Sequence, residues 1–362
     1  MKVRRAVNLG RALCLAAAFV PLGAGLCAQA ESAIDATTRV AVIDASLTAL
    51  KGQYIFPEVA ARIEQDLRSR LQRGEYDTVR SGPAFAALLT THMQGVSHDK
   101  HMSMEWSPSV IPDSRGGATP RAPSPQRKER ERRQSAYNNF GFQRVERLRG
   151  NIGYLQLSYF DRPEFAGDAV TSAMEFLRHT DALIIDLRDN DGGRPEMVAL
   201  LISYLVKKPT ALTGIYWRQS GHVDSAATVA VPDSLKYLQK EVYLLTSNTG
   251  TISAGEAFVY DLHLLRRATI VGEVSAGAAN PGGFVRVGDH FQLFVPRGRA
   301  VSPISGTNWE GVGIAPDIAV NADAALQVAE LQALKRLAKQ ATDADRKEYL
   351  MSVIGDMEKK PH

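Results

Sequence analysis

Residues 249–256 read Thr-Gly-Thr-Ile-Ser-Ala-Gly-Glu, between an apolar run at 242–245 and an amphipathic run that starts at Ala257. This order predicts a strand, a tight turn and a helix, with Ser253 at the turn. The hydroxyl of a serine there is exposed beside the first free N–H groups and the positive end of the helix dipole. Those donors can hold an oxyanion while Ser253 attacks a carbonyl. A serine at a helix start is also a common N-cap, and by itself the segment favours the cap.

Outward from this turn, short apolar runs alternate with helical periodicities. Residues 182–187 form an apolar run that is typical of a strand covered on both faces. Further elements are predicted as strands at 152–157, 242–245 and 268–271 and as helices at 166–179 and 197–206. Such alternation predicts an α/β fold with a mostly parallel sheet. After Asn280 the chain is Gly-rich and β-like, with alternation at 291–296 and a last helix at about 324–339.

The region before this core has a different pattern. Apolar residues recur at helical spacing from 40 to 50 and again from 59 to 71, which predicts a small helical bundle. We therefore divide the chain after its first thirty residues into a bundle at 31–107, a linker at 108–136, a core at 137–322 and a helical C-terminal segment at 323–362.

The predicted linker is rich in proline and contains the charge run Arg127-Lys128-Glu129-Arg130-Glu131-Arg132-Arg133. A purely basic run would favour binding to an anionic surface. Because Glu129 and Glu131 interrupt this one, a solvated, mobile loop is the favoured interpretation.

Residues 1–30 have the features of a signal peptide. Basic residues precede an apolar stretch, 12–26, that is too short to span a bilayer comfortably. Ala28-Gln29-Ala30 is an A-x-A site, so we expect cleavage after Ala30. Leu26 stands where a lipoprotein signal has a small residue before Cys27. The expected product is a soluble exported protein, in the bacterial periplasm or secreted, with no later membrane-spanning segment.

Removal of this segment changes the charge balance. The chain has 43 Lys and Arg against 39 Asp and Glu, and the segment holds four basic and no acidic residues. The remainder has 39 of each, so the basic character of the whole chain is no sign of nucleic-acid binding. Cys14 and Cys27 leave with the segment, which excludes disulfides, thiol nucleophiles and cysteine-based metal sites.

A glycine-containing turn follows the apolar run at 182–187, with the sequence Arg188-Asp189-Asn190-Asp191-Gly192-Gly193. Two glycines permit unusual backbone dihedrals, and their N–H groups can face an anion. An ordinary tight turn explains the segment equally well. A calcium loop fits less well, since Leu187 stands where an EF-hand needs an acid and the distal Glu is missing.

Two other segments offer partners for Ser253. In Ser97-His98-Asp99-Lys100-His101, either histidine is a candidate base, although a solvated histidine is the default interpretation. Two histidines three apart could also bind a metal, but no third ligand is evident nearby. Glu310, in the turn-rich segment 307–313, could orient an imidazole as the carboxylate of a triad. The alternative is a surface acid in a loop.

Together, and in this order, the segments resemble the S41 serine peptidases. The similar stretches are 54–57 and 96–101 in that family's helical N-terminal region, 139–142 and 150–155 at the entry to its core, 186–193 in its glycine turn, 251–256 in its nucleophile segment, and 267–273 and 311–317 in its later signatures. The resemblance covers nearly all of the chain after the signal. It implies an α/β fold with a crotonase-like (ClpP-like) ββα-spiral core behind a small N-terminal helical bundle.

Two departures indicate the branch of the family. Its C-terminal processing peptidases use a Ser–Lys dyad, with the lysine just after a Gly-Glu pair, but no lysine follows Gly272-Glu273 before Pro296. Those enzymes also carry a PDZ domain, for which the segment between His101 and Asn151 is too short. The chain instead resembles the branch of the interphotoreceptor retinoid-binding protein and the tricorn core.

Tricorn-like sites use a serine, a histidine and a glutamate, and the resemblance carries these roles to matching positions. The implied roles are nucleophile for Ser253, base for His101, orienting carboxylate for Glu310, and oxyanion donors for the N–H groups of Ala254 and of Gly193 or Gly192. His98 is the second candidate for the base, because tricorn's base directly follows a serine, as His98 follows Ser97.

The resemblance implies an exported serine endopeptidase that hydrolyses peptide or protein substrates through an acyl-enzyme, with no metal, cofactor or nucleic acid. The rival is a non-catalytic module of the retinoid- or lipid-carrier type, against which the intact Ser–His–Glu set argues. An α/β-hydrolase esterase fits less well, because Thr251 stands where its motif needs glycine and its histidine follows the nucleophile. The substrate, the cleavage preference and the oligomeric state do not follow from the sequence.

Overall fold

The structure, a computed structural model, describes residues 33–112 and 124–359, so that the predicted signal peptide and both cysteines lie outside the described residues. The helices are α1 Ala36–Gln53, α2 Pro57–Gln72, α3 Gly82–Ser97, α4 Pro125–Tyr137, α5 Pro163–Leu177, α6 Pro195–Ser203, α7 Ala254–Leu264, α8 Ala322–Gln340 and α9 Ala344–Glu358. The strands are β1 Ser103–Trp106, β2 Phe142–Leu148, β3 Ile152–Leu157, β4 Ala182–Asp186, β5 Ala211–Trp217, β6 Val223–Ala227, β7 Glu241–Thr246, β8 Thr269–Gly272, β9 Gly282–Gly288, β10 Phe291–Pro296, β11 Gly298–Val301 and β12 Ile318–Ala319. None of the described helices has both the length and the apolar character needed to cross a bilayer.

A six-stranded sheet with the order β12-β8-β7-β4-β3-β2 forms the centre of the fold. Neighbouring strands are parallel except β2, which pairs antiparallel with β3 at one edge. All five residues of β4 are buried, as expected for an apolar strand covered on both faces. The α/β fold predicted from the alternating pattern is confirmed, as is its mostly parallel sheet.

Helices cover both faces of this sheet. Helices α5, α6 and α7 pack on one face, where Leu201 and Phe258 are fully buried. On the other face, α8 presents Ala325, Ala329 and Ala333, whose i, i+4 spacing lets the helix lie close to the strands. Because β4 and β7 are parallel, the turns that follow them meet at the same edge of the sheet, which is where ligands bind in open α/β sheets.

Three N-terminal helices pack on a separate sheet with the order β1-β10-β9. Strand β1 lies inside the region predicted to be wholly helical, and it pairs antiparallel with β10. Its alternating burial, with Met104 inside and Glu105 outside, is that of a half-buried strand. The helices therefore end at Ser97, and residues 103–106 join the core instead.

The basic segment of the predicted linker is helical, so the prediction of a mobile loop is wrong for residues 125–137. The hydroxyl of Ser124 accepts the N–H of Arg127, and Pro125 occupies a first-turn position where its missing N–H costs nothing. The two glutamates that interrupt the charge run stabilise this helix, because Glu131 pairs with Arg127 and Glu129 with Arg132. None of its residues is buried.

Candidate functional site

Ser253 lies at the sharp turn between β7 and α7, as the sequence predicts. Its backbone has φ 57° and ψ −117°, a conformation that costs about 1–3 kcal/mol for a residue with a side chain. An ordinary N-cap residue has extended backbone dihedrals instead. Ser253 and Glu256 do face each other as in a capping box, and the Glu256 carboxylate accepts the Ser253 N–H at 3.0 Å. Capping alone leaves the strained backbone unexplained, and a strained strand-to-helix turn is how other hydrolases expose a nucleophile.

Glu256 joins this turn to the loop at 275–279. Its side chain is fully buried and also accepts the Ser275 hydroxyl at 2.6 Å, the Gly277 N–H at 2.6 Å and the Ala278 N–H at 2.9 Å. Burial raises the pKa of Glu256, and these hydrogen bonds oppose the increase. The carboxylate therefore fixes the position of both segments relative to each other.

We expect Glu256→Gln to lower the free energy of unfolding by about 2–4 kcal/mol, because an amide N–H₂ would face main-chain donors and leave them unpaired. Urea unfolding followed by circular dichroism measures the loss. The exposed Glu175 of α5 supplies the matched control, Glu175→Gln, which we expect to change stability by no more than about 0.5 kcal/mol. Equal stability of the two variants would contradict the role given to Glu256.

The glycine turn at 188–193 packs directly against Ser253. A Cβ on Gly192 would lie 2.7 Å from the Ser253 Cβ, and one on Gly193 would lie 2.1 Å from the Phe160 carbonyl oxygen. Both glycines also have a positive φ, 90° for Gly192 and 131° for Gly193. Glycine is therefore required at each position by the close contact and also by the backbone dihedral. The turn is therefore no ordinary surface turn but a close approach of two backbones at the nucleophile.

The two candidate oxyanion donors of this turn are not equivalent. The Gly192 N–H donates to Asn190 Oδ1 at 3.0 Å, whereas the Gly193 N–H has no acceptor within residues 33–112 and 124–359. The Ala254 N–H is at the first position of α7, where a helix leaves its donors without intrahelical partners. Gly193 and Ala254 are thus the donors available to a ligand beside Ser253.

His101 and Glu310, 209 residues apart in sequence, come together with Asp99. One ring nitrogen of His101 and one carboxylate oxygen from each acid lie within 4.8 Å of one another. The Nδ1 atom of His101 and the Oε1 atom of Glu310 are both buried without a hydrogen-bond partner in the described part of the chain. Catalytic hydrogen bonds are commonly long in the absence of substrate and shorten when it binds.

The electrostatics of this pair follow from its burial. Burial lowers the pKa of His101 to about 4, so its ring is neutral at pH 7 and able to accept a proton. Burial first, and then the Asp99 carboxylate, raise the pKa of Glu310 to about 8. The Ala279 N–H donates to Glu310 Oε2 at 2.5 Å and opposes that increase.

Asp99 is the member of the site to which the sequence assigned no role. Its buried carboxylate accepts the Tyr54 hydroxyl at 3.1 Å, the Asn280 side-chain amide at 3.0 Å and the His101 N–H at 3.1 Å. These bonds connect the helical bundle, the β9–β10 region and the loop that carries His101. The Asp-x-His pattern of residues 99–101 marks Asp99 in the sequence. No sequence spacing indicates that Tyr54 and Asn280 are the hydrogen-bond partners of its carboxylate.

His98 lies outside this arrangement. It is the exposed C-cap residue of α3, with φ 56°, and its N–H bonds to the Gln94 carbonyl. Ser97 is likewise not part of this arrangement. Its hydroxyl accepts the Asp99 N–H at 3.2 Å and so stabilises the loop that follows α3. The structure therefore brings His101, and not His98, to Glu310.

A cavity of about 1020 Å³ lies between the Ser253 turn and His101. Ser253, Ala254, Gly193 and His101 all line it, together with apolar walls from the sheets β1-β10-β9 and β11-β5-β6. The Phe294 ring stacks on His101 with a centroid distance of 5.9 Å. The volume is at the upper end of that of small-molecule sites and suits an extended peptide segment.

The cluster of Asp99, His101 and Glu310 also has the donor set and spacing of a metal site, with one nitrogen and two carboxylate ligands. The sequence predicts that the protein uses no metal or cofactor, and this stays a prediction. The same three groups serve equally as an oriented base.

Comparison with known proteins identifies the family. The profile of peptidase family S41 matches residues 151–320, and that of the N-terminal domain of peptidase S41 in eukaryotic IRBP matches residues 30–143. The chain belongs to peptidase family S41, a family of serine-type peptidases. The resemblance recognised from its motifs is thereby confirmed.

Individual relatives agree with this assignment. The carboxy-terminal-processing protease of Bartonella bacilliformis is 28% identical over 178 residues, which are 48% of this chain and 40% of that protease. The chain thus matches less than half the length of that curated relative. A lipoprotein from Streptococcus agalactiae is similar in structure, with a TM-score of 0.53 at 15% identity over 83% of this chain and 97% of the other. The tricorn protease has a TM-score of 0.52 at 13% identity over 89% of this chain and 37% of its own. At these identities the structural likeness concerns the fold, and it bears out the predicted S41-type α/β core with its N-terminal helices.

Proposed function

We propose that this protein is a serine peptidase in which Ser253 is the nucleophile, His101 the general base and Glu310 the carboxylate that orients the base. The observation that carries the proposal is that a strained serine and a neutral, partly buried histidine line one cavity, with an unpartnered carboxylate oxygen of Glu310 beside the histidine. Membership of the S41 family supports the same reaction class.

In this mechanism the Ser253 hydroxyl attacks a peptide carbonyl while His101 takes the hydroxyl proton. The resulting oxyanion accepts hydrogen bonds from the Gly193 and Ala254 N–H groups, each worth roughly 3 kcal/mol of barrier. His101 then gives the proton to the leaving amine, which produces the acyl-enzyme. Water, activated by the same base, hydrolyses the ester. Glu310 stabilises the imidazolium that forms twice in this cycle.

The cellular setting and the domain division belong to the proposal as well. We take residues 1–30 as a cleaved export signal and residues 137–322 as the catalytic core, with the helices at 31–107 as a bundle that contributes His101. The sequence features of the signal support the first part, and the hydrogen bond from the Asn280 side chain of the core to Asp99 of the bundle supports the joint site.

The direct test is labelling of the purified protein with a neutral fluorophosphonate probe. We expect stoichiometric labelling that Ser253→Ala abolishes, because the phosphonate requires an activated serine hydroxyl. Ser109→Ala is the matched control, since Ser109 is exposed and does not line the cavity. Labelling that survives Ser253→Ala, or that is absent in the unmodified protein, would refute the proposal that Ser253 is the nucleophile of a serine peptidase.

The apolar walls of the cavity favour a second candidate function, in which the protein is a carrier of apolar ligands. Phe284, which lines the cavity, is 46% exposed and offers such a ligand an unoccupied aromatic surface. Binding of a fluorescent fatty acid that is equally tight in the unmodified protein and in Ser253→Ala, without labelling of either, would favour the carrier over the peptidase.

A further inference from the structure

Arg297, in the turn between β10 and β11, is a partly buried cation with nothing to neutralise it. Its Nε atom is buried without a hydrogen-bond partner. Across residues 33–112 and 124–359 its guanidinium has neither an ion pair nor a hydrogen bond. Burial lowers the pKa of Arg297, and no neighbouring carboxylate counters this effect. The buried Nε–H of this guanidinium lacks an acceptor, which costs free energy, so the group marks a place that a ligand can complete.

A second cavity, of about 840 Å³, lies directly at this arginine. Its walls come from the end of α1, at Gly52 and Gln53, and from the β5–β6 hairpin, at Trp217 to Asp224. Arg218 also lines it, but its guanidinium is held by the carbonyl oxygens of Tyr54 and Lys51. Arg297 is therefore the cation in this cavity whose hydrogen-bonding capacity is free.

This cavity adjoins the one that contains Ser253. Trp217 and Asp224 line both. The Arg297 main-chain N–H also bonds at 2.9 Å to the carbonyl oxygen of Pro281, which is part of the Ser253 cavity wall. An extended peptide advances about 3.3–3.6 Å per residue, so a peptide bound at Ser253 is directed towards Arg297 where it leaves its cavity along the wall that the two cavities share.

The charged neighbours of Arg297 leave room for an anion. Asp224 is engaged by His222, with 3.3 Å between His222 Nε2 and the carboxylate, and both side chains are about two-thirds exposed. The remaining polar residues of the wall, Gln53, Gln219 and Ser220, are uncharged hydrogen-bonding groups. An incoming carboxylate would thus meet one free guanidinium, which binds carboxylates through two parallel hydrogen bonds.

From the free guanidinium and the adjoining cavities we propose that Arg297 is a specificity-determining residue that binds a carboxylate of the peptide substrate. The carboxylate comes either from an acidic side chain or from the C-terminus of the peptide. This inference rests on the proposed peptidase function, because it places the peptide in the Ser253 cavity.

Binding rather than turnover gives the sharpest test. The protein is the full chain carrying Ser253→Ala, and the probes are three dye-labelled peptides of one sequence, measured by fluorescence anisotropy. One has an internal Gln and an amidated C-terminus, the second an internal Glu and an amidated C-terminus, and the third an internal Gln and a free C-terminus. We expect a carboxylate-bearing peptide to bind about tenfold more tightly than the neutral one, as a charge-assisted pair provides.

Substitutions of Arg297 test whether this residue binds the carboxylate of the peptide. Arg297→Gln should make the three dissociation constants equal without weakening the neutral peptide, and Arg297→Lys should restore part of the preference. Arg299→Gln is the matched control, because Arg299 is exposed, lies over the Tyr216 ring and lines neither cavity. The preferred peptide identifies the source of the carboxylate.

Two results would overturn the proposal: equal binding of all three peptides to the protein with Arg297 intact, or a preference that Arg297→Gln leaves unchanged. Failure of the peptidase itself is recognised separately. Loss of the Ser253-dependent fluorophosphonate labelling, which involves no substrate carboxylate, would show that the peptidase function itself fails, whatever the outcome of the peptide-binding assay.

Discussion

His101→Ala lowers kcat for peptide hydrolysis by about 10⁴- to 10⁶-fold, the range seen when a triad base is removed. The imidazole is the group near Ser253 that is neutral at pH 7 and able to take its proton, since burial lowers the pKa of His101 to about 4. Without it the Ser253 hydroxyl must lose its proton to water. The residual rate then comes from substrate binding and from the Gly193 and Ala254 donors.

The comparison with His98→Ala makes this result specific. His98 is exposed at the end of α3 and does not line the cavity, so its removal should change kcat by less than about twofold. Rates with a fluorogenic peptide and the rate of fluorophosphonate labelling measure both variants. If His98→Ala is the inactive variant and His101→Ala keeps its activity, the assignment of the base is wrong.

Glu310→Gln lowers kcat by about 10³- to 10⁴-fold, as the loss of the carboxylate does in other triads. Glutamine retains the shape of the side chain and an oxygen for the Ala279 N–H, so the change removes the negative charge and little else. The imidazolium of His101 then forms beside a neutral amide. A stopped assay with high enzyme concentration measures the residual rate.

The pH dependence provides an independent test of the same residue. Because the pKa of Glu310 is raised to about 8, the activity of the unmodified protein should rise as the pH passes through about 8 and the carboxylate ionises. Glu310→Gln should show no rise there. A rise of equal size in both proteins would assign the titration to another group.

Stability should respond to Glu310 in the opposite direction. Its pKa is about 8 in the folded protein against 4.5 for the free group, so between these values the folded state holds a proton that the unfolded state has lost. The contribution of Glu310 to the free energy of unfolding therefore falls as the pH rises from about 4.5 to 8, by up to about 5 kcal/mol at about 1.4 kcal/mol per pKa unit. Urea unfolding of Glu310→Gln should show a shallower decrease over this range. Parallel curves for the two proteins would contradict the raised pKa.

The contribution of His101 to the free energy of unfolding changes at lower pH than that of Glu310. The folded pKa of His101, about 4, lies below the ordinary histidine value of 6.5, so its contribution is fully present above pH 6.5 and is lost as the pH falls towards 4. The two contributions oppose each other between about pH 4.5 and 6.5, where their titration ranges overlap, so the free energy of unfolding should be greatest within this overlap.

The fold could be predicted where the pattern is local. The apolar run at 182–187 and the helical periodicity of α5 and α8 predict their elements because each follows from spacing within one segment. Strand β1 was missed because its partner β10 lies nearly 190 residues further along the chain. Helix α4 was missed because Glu129 and Glu131 were interpreted as interruptions, whereas at i, i+3 and i, i+4 from arginines they form ion pairs.

The candidate site divides in a similar way. From its own residues and their order, the sequence determined the family, the serine at the turn, the glycine turn beside it and the absence of a lysine where the related dyad would need one. These features depend on short segments, in which residue type and spacing dictate the backbone conformation.

Only the tertiary structure shows where the alternatives that the sequence left open lie relative to the other groups of the site. It separates His101 from His98, because the end of α3 turns one histidine to solvent and the following loop buries the other beside Glu310. It separates Gly193 from Gly192, because Asn190 has already taken one of the two N–H groups. Both choices depend on where a neighbouring chain segment lies in space, and burial and hydrogen-bond partners are set by those neighbours rather than by local spacing.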